Sequence, residues 1–100
     1  MKLDKDRVEA IAARVAQANL GITSVSSAIS MPTTDLEGHD ALDITLVLTS
    51  ESSAINMPHD AALNTLVQIH DELLKQGDER FPFIQYVTSE DLKAAENDES

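Results

Sequence analysis

The sequence predicts an α+β fold, a two-layer sandwich in which helices cover one face of a three-stranded sheet in the order α-β-β-α-β, with a short final helix. Three observations predict it. Residues 41–49, ALDITLVLT, put Leu42, Ile44, Leu46 and Leu48 on one side and Asp43, Thr45, Val47 and Thr49 on the other. That alternation is the period of a half-buried strand, and its apolar row requires a cover. Two longer stretches, residues 3–20 and 58–76, repeat apolar residues at helical spacing and can supply that cover. A third alternating stretch, residues 78–88, holds all three aromatic residues, Phe81, Phe83 and Tyr86.

The elements follow in order. Leu3–Leu20 reads as the first helix, with Val8, Ile11, Ala12, Val15 and Ala16 on one face. Asp4 is its N-cap, and Leu3 and Val8 occupy the positions of a hydrophobic staple. Gly21 is the expected stop, because glycine accepts the left-handed conformation at a helix C-terminus. Ile22–Met31 alternates as a strand, with Val25, Ile29 and Met31 on one side, serines and Ala28 on the other, and Pro32 at its end. Residues 32–40 form a loop, with Leu36 tucked beneath it, and the strand at 41–49 returns as the second arm of an antiparallel hairpin. A polar connection, residues 50–56, leads to the second helix, Pro58–Gln76, whose stripe is Leu63, Leu66, Val67, Leu73 and Leu74, widened by Ala62 and Ile69. Gly77 ends it. The third strand spans Asp78–Thr88 with Pro82 near its start, since proline cannot donate to a ladder. Ser89 caps a last short helix. Residues 1–95 make one domain, and residues 96–100 are expected as a disordered acidic tail.

Charge and composition exclude some functions. The net charge is −11, distributed as +1 over residues 1–20, −6 over residues 21–60 and −6 over residues 61–100. Such a surface repels a phosphate backbone, so nucleic acid is not expected as a partner. There is no cysteine, which removes disulfides and thiolate metal sites. No apolar run approaches the roughly 18 residues of a membrane span. The start, MKLDKDRVEA, lacks the apolar core of a secretory signal, and a cytoplasmic protein is expected.

Candidate chemistry is sparse. Each histidine precedes an aspartate, at 39–40, 59–60 and 70–71. A His-Asp pair occurs in a metal-dependent phosphohydrolase signature, but adjacent helical residues do not face one another. His59 and His70 lie about 16 Å apart along one helix by its rise per residue, too far to share an ion. Both fall in the apolar stripe, where a histidine bonded to a carbonyl or a nearby acid is the simpler reading. Asp40 and Asp43 lack the two-residue spacing that lets strand carboxylates share magnesium, as in nucleotidyltransferases, and are read as solvating the hairpin end. Ser24, Ser26, Ser27 and Ser30 stand in no G-x-S-x-G turn. Gly21, Gly38 and Gly77 make no phosphate cradle. No catalytic, metal or cofactor residue is therefore assigned, and no cofactor is expected.

The expected function is that of a non-enzymatic protein-interaction or regulatory module, with a protein partner or a homodimer. Val25, Ile29, Val47, Ile84 and Tyr86 are the expected contact residues. The contact is expected at the uncharged Ile22–Met31 edge or on a sheet face bearing Val47, Ile84 and Tyr86. The alternative is a small ligand-binding protein or enzyme, or an inactive relative of a nucleotidyltransferase-like fold, using Asp43, His59 and His70. A convergent pocket would favour that alternative, and an apolar patch the interaction module.

Overall fold

Residue order and hydrophobic period produce the expected layers. The computed structural model describes residues 2–50 and 57–97, with side chains through Lys93. Its elements are α1 (Lys5–Leu20), β1 (Val25–Thr34), β2 (Asp40–Leu48), α2 (His59–Lys75), β3 (Phe81–Thr88) and α3 (Ser89–Asn97). The sheet order is β1-β2-β3, with β1 antiparallel and β3 parallel to the central β2. Helices α1 and α2 pack side by side on one face, and α3 touches the ends of β2 and β3. Helix α3 continues through Asn97, so the boundary expected at residue 96 falls inside it, and residues 98–100 lie outside the described residues, as do residues 51–56 of the polar connection.

Local chemistry accounts for the ends of α1. The Asp4 carboxylate accepts the Arg7 N–H at 2.8 Å, and Gly21 at φ 106° donates its N–H to the Gln17 carbonyl at 2.9 Å. The buried face is Val8, Ile11, Ala12, Val15 and Ala16, as its spacing predicts. It meets Leu42, Ile44, Leu46 and Leu48, all at most 2% exposed, and these residues form the centre of the core.

Strand β1 departs from its expected pattern in two ways. A register shift between Val25 and Ser27 breaks the alternation, so Val25 shares the buried side with Ala28 and Ser30, while Ile29 and Met31 turn to the other side. The small residues Ala28 and Ser30 oppose Leu46 and Ile44, leaving room for α1 to approach. The strand also begins three residues later than expected and continues through Pro32 to Thr34. Proline fits because β1 is an edge strand, and its missing N–H faces no partner. The Ser30 N–H, two residues away and pointing the same way, is taken by the Glu9 carboxylate of α1 at 2.8 Å. An edge that reads as unprotected in sequence is thus blocked by a carboxylate from α1 and by a proline.

The hairpin tip is compact. Asp35 accepts the N–H groups of Glu37 and His39, both at 2.9 Å, and Gly38 at φ 85° closes the turn. Leu36 projects fully into solvent from this tip and does not tuck beneath the strands.

Helix α2 has the expected bounds but a different orientation. Its buried line is Ala61, Thr65, Ile69 and Leu73, at i, i+4, i+8 and i+12. Leu63, Val67 and Leu74, expected in the core, lie exposed on the side of the helix opposite that line. The α1-facing side is polar: Asn19 donates to Gln68 at 2.9 Å, Arg7 to Gln76 at 3.2 Å and Arg14 to Glu72 at 3.4 Å. Small Ala61 and Thr65 let the helix sit close to the sheet, and these partners fix its rotation. Leu63, Val67 and Leu74 are left outside.

Candidate interaction surface

The exposed side of α2 carries Leu63, Val67, His70 and Leu74, spaced i, i+4, i+7 and i+11, which sets them in one row along the helix. Residues 61–70, AALNTLVQIH, contain no charge, in a chain where a quarter of residues are charged. The row continues onto the sheet. The His70 ring stands edge-on to Phe81 with centroids 5.1 Å apart, and Phe81 stands edge-on to Phe83 at 5.3 Å. Aromatic pairs prefer this geometry, because the positive edge of one ring meets the negative face of the next. Strand β3, FPFIQYVT, also lacks charge. Leu63, Val67, Leu74, Phe81 and Phe83 are each between 41% and 57% exposed. Together they form an apolar surface running from α2 around the free edge of β3 to the uncovered face of the sheet.

The register explains why Phe81 and Phe83 are outside. Pro82, Ile84, Tyr86 and Thr88 stand beside Leu42, Ile44, Leu46 and Leu48 on the helix-covered face. The intervening residues must face the other way. On that uncovered face Phe83, Asp43 and Met31 lie in one row across the three strands, and the Gln85 side chain donates to the Thr45 hydroxyl at 2.8 Å.

The residues expected at a contact do not share a surface. Val25 and Val47 are buried, at 3% exposure each. Ile84 and Tyr86 pack against the core on the helix side, so they cannot join Val47 on the opposite face. Ile29 is half-buried on the uncovered face. The Tyr86 hydroxyl is buried beside Thr65 without a well-formed hydrogen bond, and burial pushes its pKa up.

The alternative set is also spread out. Asp43 is exposed on the uncovered sheet face, His59 is exposed at the first residue of α2, and His70 is half-buried against Phe81. The partner of His70 is an aromatic ring, where a carbonyl or an acid was expected. Among the described residues, no three His, Asp or Glu side chains are grouped so as to hold a metal ion.

A second feature lies where β2 and β3 begin, directly before Phe81. A cleft of about 560 Å³ is lined by Lys2, His39, Asp40, Asp78, Glu79 and Arg80. Its cations are already engaged. Lys2 pairs with Asp40 and holds that carboxyl below its usual range. Arg80 donates to Asp78 through Nε and Nη2, the latter at 2.7 Å, and through Nη2 also to the Leu3 carbonyl at 3.0 Å. Asp78 in turn accepts the N–H groups of Leu3 and Arg80, at 3.0 and 3.1 Å. These bonds outweigh the cost of burial and bring the Asp78 carboxyl down to about 2. The pair is a brace that fixes the segment before α1 to the α2–β3 junction. Asp78 and Arg80, expected in the third strand, precede it; the nearest signal in the sequence is the D-x-R spacing directly after the helix-ending Gly77. Its other partner, Leu3, is 75 residues distant in sequence from Asp78.

No helix among the described residues is long and apolar enough to cross a membrane. Comparisons with protein families, with curated proteins and with solved structures find no match to this chain.

Proposed function

We propose that the chain is a non-enzymatic, cytoplasmic protein-interaction module that docks a partner protein on the α2–β3 surface. The observation that carries this reading is the continuous row from Leu63 through His70 to Phe83, apolar or aromatic and uncharged, on an otherwise strongly acidic molecule. Contiguous apolar surface rimmed by polar groups is characteristic of contact sites, and it costs solubility when left bare. Aromatic anchors beside aliphatic ones suit the centre of an interface. The acidic remainder of the surface disfavours nucleic acid and repels other acidic proteins, which narrows the choice of partner.

Affinity capture from the native cell tests the reading. Wild-type protein and Val67→Glu are used as baits in parallel. Val67 is about half exposed, so the substitution leaves the core intact while burying a carboxylate in any complex that covers it. Specific partners are expected to co-purify with the wild type and to be depleted at least tenfold with Val67→Glu. An identical set of proteins at equal yield on both baits would contradict docking at this surface.

A further inference from the structure

We propose that the first occupant of the α2–β3 surface is a second copy of this chain, with the two α2 helices antiparallel across a two-fold axis. This proposal rests on the interaction reading above and commits it to one partner.

The spacing of the row is self-complementary. A two-fold axis between residues 68 and 69 sets Leu63 of one copy against Leu74 of the other, and Val67 against His70, each twice. An isologous contact requires this property, because the same patch must serve on both sides. The row is close to the alternating three- and four-residue spacing of an antiparallel helix pair. Alongside it, Asn64 comes opposite Asp71 of the second copy, so an amide meets the carboxylate and two acids are not opposed.

The area agrees with what a dimer needs. With about 200 Å² for a fully exposed large side chain, the five exposed residues present roughly 450 Å². A standard interface takes about 800 Å² from each partner, and in homodimers about 65% of it is apolar, or roughly 500 Å².

Charge points the same way. Two chains of net charge −11 repel, so contact is favoured where each presents few acids. Residues 61–70 and the whole of β3 meet that condition on adjoining surface. The edge of β1, the other uncharged strand, is occupied by Glu9 and interrupted by Pro32.

Sedimentation equilibrium on the full chain from about 1 to 500 μM, at low and at physiological salt, tests the proposal. The wild type is expected to approach twice the 10.9 kDa monomer mass, and to do so at lower concentration in physiological salt, where repulsion is screened. Val67→Glu is expected to weaken dimerisation at least tenfold with an unchanged circular dichroism spectrum. Met31→Glu, on the uncovered sheet face away from α2, is expected to leave it unchanged. A wild type that stays monomeric throughout would overturn self-pairing while leaving the capture experiment to judge docking. A dimer insensitive to Val67→Glu, or one broken by Met31→Glu alone, would place the contact elsewhere and overturn the proposal equally.

Discussion

Replacing Asp78 with alanine is expected to destabilise the fold by about 3–5 kcal/mol, the range for removing one partner of a buried ion pair. Arg80 is only 8% exposed, and without Asp78 its guanidinium keeps a single bond, to the Leu3 carbonyl. The Leu3 N–H loses its acceptor as well, so the segment before α1 is released at both atoms. Urea titration of wild type and variant gives the difference directly. A loss under about 1 kcal/mol would show that water replaces the carboxylate at no cost and that the brace is not structural. Asp78 also has a pH signature. Its folded pKa of about 2 lies below the ordinary 3.8, so the unfolded chain binds the proton more tightly. The stabilisation is therefore complete above pH 5 and disappears as the pH falls through 4 toward 2, by about 2 kcal/mol in all. Measured as the gap between wild type and Asp78→Asn, this component is separated from the other carboxylates, and the gap should narrow across that window.

Leu46→Ala is expected to cost about 2–5 kcal/mol. Leu46 is fully buried at the centre of β2, between Ala28 and Tyr86 on the neighbouring strands and beneath the helices. A domain with about 5–15 kcal/mol of stability would keep a cooperative transition at a much lower midpoint. Denaturant titration reads the effect, and a loss under about 0.5 kcal/mol would mean that β2 does not present this row to the helices. The contrast with Val67 is informative. Both are aliphatic residues in regular elements, yet a polar substitution at Val67 is expected to change stability little, because that side chain is half in solvent already.

The central strand was legible because its leucines alternate without interruption, and α1 because Asp4, the Val8–Ala16 face and Gly21 agree with one another. The element order followed from these two and from the period of the rest. The rotation of α2 was not legible. Its sequence offers two apolar rows of comparable hydrophobicity, Ala61–Thr65–Ile69–Leu73 and Leu63–Val67–His70–Leu74. Periodicity alone does not choose between them, whereas close approach to the sheet at Ala61 and Thr65 and the bonds from Arg7, Arg14 and Asn19 favour burying the first. The candidate surface was missed for the same reason: a stripe assigned to the core cannot also be assigned to a partner. In β1 a single register shift moved Val25 and Ile29 to opposite faces, and local alternation carries no sign of such a shift. The Asp78–Arg80 brace joins two ends of the chain through the backbone of Leu3, and a backbone atom leaves no mark in the sequence.

The central claim is that the α2–β3 surface is covered by protein in use. A photo-reactive residue at position 67, with a control at position 10 on the exposed side of α1, tests that claim most directly. On irradiation in the native cell, position 67 is expected to give covalent adducts with protein, a second copy of the chain among them, and position 10 is expected to give none above background. Adducts at neither position, or equal adducts at both, would contradict it.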